Sequence, residues 1–291
     1  MPRERTYRTE AVVIRRSDFG EADRLLTLFS ADRGKTRAIA KGARKPQSRK
    51  TGHVELFMRS KFLVAEGRDL DIVTQAETVE TYAALREDLV RATYAGYAVE
   101  LLDRFTVDDD PHRDIYDLLT LALETLAASD EPLLLARYYE LRLLSLTGFQ
   151  PRLFNCVACA EAISEQDQFF SADLGGLLCP NCGPTDPRAV PVSAVAVKVM
   201  RYLQTRPWAT VSQLRLRPVV LHEIERILYD YLTHILERNL KSVDFLHRLR
   251  REAEVVAGEE KKSTQRRKAA KTQRKSHLCV FAPLRLCVKF R

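Results

Sequence analysis

Two short cysteine pairs, "CVAC" and "CPNC", constrain this chain more than any other feature. They contain Cys156, Cys159, Cys179 and Cys182, spaced C-x2-C-x19-C-x2-C. Two such knuckles can bring four thiolates to the corners of one tetrahedron, the geometry Zn2+ takes in structural sites. Four cysteine ligands fill the coordination shell and leave no position for water or substrate, so the ion would hold structure and perform no reaction. The segment between the pairs, "AEAISEQDQFFSADLGGLL", has too little apolar content for a core of its own, and a metal supplies what burial cannot. The spacing predicts a zinc module over about residues 153–187. The N-terminal "MPRERTYRTE" lacks the apolar core of a secretory leader, which points to a cytosolic chain and disfavours stable disulfides. A redox pair of the thioredoxin kind would need a βαβ context, which the pattern lacks. Cys279 and Cys287 lie in a stretch with no recognisable element around them.

Charge divides the chain into three parts. Residues 1–60 hold fifteen Lys/Arg against seven Asp/Glu, residues 61–260 twenty-one against thirty-two, and residues 261–291 eleven against none. An acidic body therefore separates two basic ends, which suggests a polyanionic partner, nucleic acid first. The densest run extends from Arg33 to Lys50, with eight cations and no acid, and includes "KGARKPQSRK". The competing reading is a solvated loop whose charge only aids solubility. No apolar run reaches the roughly 18 residues of a membrane helix.

Hydrophobic periodicity changes near residue 80. Before it, "TEAVVIRR", "DRLLTLFS", "KTRAIAKG", "HVELFMRSKFLVAEG" and "DLDIVTQAET" read as short strands separated by turns. Leu26 and Leu28 alternate, as do Val54, Leu56 and Met58, and Leu70 and Ile72. Strands at this spacing predict a small OB-type β-barrel over residues 1–80. After it, residues 81–106, 112–128, the stretch from Pro132 to Gly148, "PVSAVAVKVMRYLQ" and a long segment from about Val219 to Leu249 read as helices. The expected architecture is α+β and multidomain: an N-terminal OB-fold barrel, then an α-helical domain over 81–255 carrying the zinc-finger-like insertion. The remaining 256–291, with "KKSTQRRKAAKTQRKS", is expected to be disordered.

Enzymatic motifs are missing from the sequence: there is no Walker A, G-x-G-x-x-G, G-x-S-x-G or H-E-x-x-H pattern. "HVE" at His53–Glu55 matches half of a zinc-deaminase signature. Its cysteine partner should follow a proline, yet Cys156 follows Asn155 and lies far along the chain. His53 and Glu55 read as strand residues. The acidic "VDDDP" at 107–111 reads as a helix boundary, where Asp caps. The expectation is a binding protein and not an enzyme.

Two stretches carry a resemblance. "AVVIRRSDFGEADRLLTLFSADRGKTRAIAKGARKPQSR" and "SLTGFQPRLFNCVACAEAI" followed by "FSADLGGLLCPNCG" resemble the bacterial RecO recombination mediators, with the likeness running from about residue 6 to about 250. The resemblance implies binding of single- and double-stranded DNA, annealing of complementary strands, and help in loading RecA onto single strands coated by single-stranded-DNA-binding protein. It implies RecR and the acidic tail of the single-stranded-DNA-binding protein as partners, with one structural Zn2+ as cofactor.

The DNA contacts would be electrostatic. Arg37, Lys41, Arg44, Lys45, Arg49 and Lys50 are the first candidates, and Arg15, Arg16, Arg24 and Lys35 the second, because strand position turns some of these away. Phe19, Phe57 and Phe62 could stack on bases, but alternating strand positions favour the core. Helices of 190–250 with Arg201, Arg206, Arg215 and Arg217 could receive the acidic tail; solvated helix faces are the plainer reading. Two alternatives remain: an RNA-binding protein using the same barrel, and a zinc-dependent nucleic-acid enzyme acting through His53 and Glu55.

Overall fold

The computed structural model describes residues 6–128 and 131–237, together with 240, 242–243, 245–246 and 248–249. The basic segment 256–291 lies outside the described residues. Strands β1 (Thr6–Phe19), β2 (Asp23–Ser30), β3 (Gly34–Ala40), β4 (Arg59–Ala65) and β5 (Asp71–Glu80) close into a barrel in the order β1-β2-β3-β5-β4. Only the β3–β5 seam is parallel, through Ala38↔Asp71 and Ile39↔Ile72. A closed five-stranded barrel of this kind is the expected OB-type architecture. Its core uses small and branched side chains, among them Ala11, Val13, Leu26, Leu28, Ala38, Val64 and Val73, with the buried ring of Phe62 and the partly buried ring of Tyr7 packed against them.

A bulge decides which side chains of β1 face out. The β1–β2 register shifts between Val13 and Arg15, and a bulge inverts the alternation that follows it. Ala11 and Val13 point into the barrel, whereas beyond the bulge Arg16 pairs with the inward Leu26. Arg15, Ser17 and Phe19 therefore face outward. Phe57 and Phe62 are buried as expected, but Phe19 is 46% exposed and is not core.

The strand expected to begin at His53 begins at Arg59. Residues Thr51–His53 form a short 3-10 turn, and Phe57 takes a left-handed backbone with φ 69°. This loop closes one end of the barrel. The Phe57 N–H donates to the Val13 carbonyl and the Val13 N–H to the Met58 carbonyl, both at 2.9 Å, beside the bulge. Val54, Phe57 and Met58 are buried there. Apolar residues at alternate positions here line a plug, not a strand face.

Seven helices follow among the described residues: α1 (Ala84–Glu87), α2 (Leu89–Phe105), α3 (Arg113–Ala128), α4 (Pro132–Leu146), α5 (Ala194–Thr205), α6 (Trp208–Val211) and α7 (Pro218–Leu236). The expected helix over 81–106 is broken at Asp88, whose extended backbone and carboxylate cap α2, accepting from the Arg91 N–H at 2.8 Å. Helix α4 starts on Pro132 and stops before Gly148, which has φ +84°. The last long segment ends its regular helix at Leu236, where Glu237 turns left-handed. Inside the bundle, Arg137 is 2% exposed and meets Glu140 at 2.6 Å and Glu225 at 3.5 Å. The Tyr97 hydroxyl donates to Glu140 as well. Among the described residues no helix is long and apolar enough to cross a membrane.

Between α4 and α5, strands β6 (Gln168–Ser171), β7 (Gly176–Leu178) and β8 (Val190–Val192) form a small antiparallel sheet in the order β7-β6-β8. This sheet carries the cysteine segment.

Candidate nucleic-acid interface and metal centre

The basic run after β3 is a chain of tight turns fastened to the β1–β2 hairpin. The Gly42 N–H donates to Asp23 Oδ1 at 2.7 Å, and the Arg44 N–H to the Ala22 carbonyl at 2.9 Å. The Arg44 guanidinium donates to the carbonyls of Gly20 and Glu21 and meets Asp18 at 3.3 Å. Thr51 Oγ1 donates to the Ala43 carbonyl, and Lys50 Nζ to the Val73 carbonyl at 3.1 Å. Burial pushes the Lys50 ammonium below its ordinary pKa; Asp23 opposes this and the nearby Lys41 adds to it. Arg44 and Lys50 thus shape the loop, while Lys41, Lys45 and Arg49 stand exposed. Among the described residues these three have no carboxylate within ion-pair distance.

The remaining candidates on the strands are tied to acids. Arg24 meets Glu55 at 2.6 Å and Arg16 meets the other oxygen of the same carboxylate. Glu55, expected on a strand, sits in the plug loop and orients two arginines, and His53 Nδ1 lies 2.6 Å from Thr78 Oγ1. Among the described residues neither makes a hydrogen bond or ion pair to a cysteine. Lys35 is 8% exposed. Its ammonium donates to the carbonyls of Asp103 and Thr106 and meets the carboxylates of Asp103 and Asp108 at 3.1 and 3.4 Å. These contacts make Lys35 a strut between the barrel and the end of α2. Arg37 is exposed but 3.3 Å from Asp108, and Arg15 is exposed but 3.3 Å from Asp103.

The acids responsible belong to the end of α2 and the loop after it. The "VDDDP" segment does not simply cap a helix. Its Asp109 N–H donates to the Lys35 carbonyl at 2.9 Å, and Asp108 bridges Lys35 in parallel fashion. The segment lies so close to β3 that a Cβ at Gly34 would stand 1.9 Å from the Asp110 carbonyl oxygen. Only glycine permits this approach, and its φ of +64° suits glycine too.

The four cysteines converge. Their sulfur atoms all lie within 4.8 Å of one another, and Cys159 Sγ is 3.9 Å from Cys179 Sγ. A zinc–sulfur bond of about 2.3 Å places tetrahedral thiolates about 3.8 Å apart, so the donor set fits Zn2+. Each pair forms a backbone knuckle. In the first, the Ala160 N–H donates to the Cys156 carbonyl at 2.9 Å and Ala160 is left-handed. In the second, the N–H groups of Cys182 and Gly183 both donate to the Cys179 carbonyl. A Cβ on Gly183 would collide with the Phe169 ring at 2.1 Å. Burial pushes the Cys156 thiol up, but N–H donors from Cys159, Cys179 and Ala158 outweigh it and bring it down to about 6. The Cys182 thiol is pushed up to about 12, chiefly by Cys179. Four crowded sulfurs oppose one another's ionisation, and a divalent cation removes that opposition.

The module is fastened to the helices. Phe170 packs edge-on against Tyr231 of α7, and Arg201 of α5 donates to the carbonyls of Leu153 and Ile163. Arg201 is therefore engaged in holding the module. Arg206, Arg215 and Arg217 are exposed on the segments flanking α6, with Arg215 3.8 Å from Glu131. Sequence reasoning missed the outward Phe19 and the acids Asp103 and Asp108. The three-aspartate run was the available signal for the last.

Comparison with known proteins follows the same division. Residues 3–82 match the family model described as Recombination protein O N terminal, and residues 86–244 the one described as Recombination protein O C terminal. A DNA repair protein RecO from Roseiflexus sp. (strain RS-1) is 43% identical over 248 residues, covering 85% of this chain and 87% of that protein. Proteins of the same name from Desulforamulus reducens and Pelotomaculum thermopropionicum are 37% and 40% identical. They cover 84% and 83% of this chain, and 94% of each relative is spanned.

Proposed function

The chain belongs to the RecO family, and from that premise we propose that it serves DNA repair and recombination by binding DNA through its barrel and annealing complementary strands. The observation that carries this reading is the pinned basic loop, with Lys41, Lys45 and Arg49 exposed and unpaired among the described residues. Fixed cations replace counterions along a phosphate backbone and lose no loop entropy on doing so. Two polyanions repel each other, and a concentrated positive surface lowers the cost of bringing them together. Arg15 and Arg37 join once phosphate displaces their carboxylate partners, whereas Arg16, Arg24, Arg44 and Lys50 keep the surface in shape.

Nothing in this activity requires a bond to be made or broken, so the chain acts as a mediator and not as an enzyme. Zn2+, held by Cys156, Cys159, Cys179 and Cys182, would supply folding free energy to the module. The partners that fit a mediator of this family are RecR and the acidic tail of single-stranded-DNA-binding protein, with RecA loading as the outcome, in the bacterial cytoplasm. The exposed Arg206, Arg215 and Arg217 are where an acidic tail would be sought.

Salt titration tests the reading. Affinity for single-stranded DNA should fall at least about tenfold between about 50 and about 200 mM salt, with little dependence on sequence. Affinity unchanged over that range would sink the electrostatic account. Pull-down of single-stranded-DNA-binding protein with and without its acidic tail tests the partner.

A further inference from the structure

Beyond the bulge in β1, three strands present their outward side chains in cross-strand rows. Arg15 pairs with Thr27 and Thr27 with Arg37. Ser17 pairs with Leu25 and Leu25 with Ile39, which continues across the parallel seam to Ile72. Phe19 pairs with Asp23, which holds the turn after Lys41 through the Gly42 N–H. The middle row is apolar and half-buried at Leu25, Ile39 and Ile72. Cations border it, with Arg15 and Arg37 on one side and Lys41 on the other. Rows on one strand face are about 7 Å apart.

Phe19 stands at the edge of this face. A single exposed apolar side chain is ordinary and by itself means nothing. Two observations set this one apart. Its hairpin tip is held still, because the turn beginning at Gly20 (φ +56°) accepts the Arg44 guanidinium on two successive carbonyls. It shares its face with unpaired or exchangeable cations. The tip and the strand face together are where barrels of this class accept oligonucleotides.

We propose that Phe19 is a base-stacking platform for single-stranded DNA lying across the outward face of β1, β2 and β3. The bases meet Phe19 and the Leu25–Ile39 row, and the phosphates meet Arg15, Arg37 and Lys41. An exposed ring offers every base the same π-face and so gives affinity without sequence preference. A duplex keeps its bases stacked inside and cannot use it, so Phe19 separates single strands from double strands. This proposal rests on the DNA-binding reading above and assigns the part of that site that reads bases.

The test measures binding of the full-length protein and its Phe19→Ala variant to three probes. These are an oligothymidylate of about fifteen nucleotides, an abasic phosphodiester of the same length, and a duplex. Phe19→Ala should weaken oligothymidylate binding by about five- to a hundredfold, leave the abasic and duplex probes unchanged, and Phe19→Tyr should restore binding. Because Phe19 is exposed, an unchanged melting curve is expected and is recorded for each variant. Equal binding of oligothymidylate by wild type and Phe19→Ala overturns the proposal. So does an equal loss on all three probes, which would make Phe19 a scaffold residue. Tighter binding of the matching oligouridylate, with the same dependence on Phe19, would reassign the occupant to RNA and overturn it as stated. Failure of the wild type to bind any probe would instead refute DNA binding itself.

Discussion

The cysteine module and the barrel surface solve opposite problems. In the module, four side chains converge on one point, and the backbone serves them. Two knuckles, a left-handed Ala160 and a glycine that clears Phe169 all act to bring sulfurs within 4.8 Å. On the barrel, ten cations spread over strands and loops, and several are already neutralised by Glu55, Asp103 and Asp108. A convergent site is all-or-none, because losing one ligand frees the other three. A distributed surface is graded, because each cation contributes separately. The contrast predicts a large structural effect at the module and smaller, additive binding effects at the barrel.

The largest effect should come from the metal. Stripping zinc with a strong chelator, or Cys156→Ser, should release residues 153–187 to protease and lower Tm by on the order of 10 °C, since structural zinc supplies about 10–16 kcal/mol in small modules. Metal analysis should find one zinc per chain before treatment. A folded module with four free thiols and no metal would break the comparison at its root. Arg137 tests whether convergence or burial is the cause. It has no metal, but its removal takes away the buried cation that Glu140 and Glu225 both face in the bundle core. Arg137→Met should cost about 3–5 kcal/mol, and Tm should drop by about 10 °C. DNA affinity at a temperature where the variant is folded should not change.

At the barrel, Lys41→Ala, Lys45→Ala and Arg49→Ala combined should reduce single-strand affinity about ten- to a hundredfold. They should also lower the slope of log affinity against log salt by about 2, or about 0.7 for each phosphate left without its cation. Tm should stay within about 2 °C, because exposed cations without partners contribute little to folding. Arg44 is left intact because its guanidinium fastens the loop to the hairpin. Single variants should each remove roughly a third of the change in slope. One variant carrying all of it would show that the surface is convergent after all.

The same contrast explains what could be read from the sequence. The cysteine spacing was sufficient to foresee that the four sulfurs converge, because a ligand set of this kind depends on residue type and spacing, both printed in the sequence. The barrel was legible as a class from alternation and turns, and Pro132 and Gly148 marked the ends of α4. Phe19 was misplaced because β1 runs on past the barrel core: every residue from Arg15 to Phe19 is exposed, whichever face it takes. "HVELFM" was misread because a plug and a strand bury apolar residues with similar spacing, and the left-handed Phe57 leaves no compositional mark. The burial of Lys35 was not legible because its partners lie about seventy positions along the chain, where pairing depends on tertiary contact alone.

The smallest effect belongs to the acids that cover part of the barrel, and it has the opposite sign. Asp108 lies 3.3 Å from Arg37 and 3.4 Å from Lys35, with its carboxylate and the Arg37 guanidinium both solvent-exposed. An exposed pair of this kind is worth at most about 1 kcal/mol, and a phosphate must displace it before Arg37 can contribute. Asp108→Asn removes that competition. It keeps the backbone bridge to Lys35 and leaves the buried ammonium its contacts to Asp103 and the Thr106 carbonyl. Single-strand affinity should therefore rise about two- to fivefold at low salt, an upper limit set by the pair's own strength. The gain should vanish near about 1 M salt, where screening acts within about 3 Å. It should also vanish in an Arg37→Ala background, since the released cation is the cause. A gain that survives Arg37→Ala would mean that the acidic loop repels DNA through its overall field and not by holding one arginine. A loss of affinity would mean that Asp108 positions Arg37 for phosphate, and that the carboxylates belong to the interface as its scaffold.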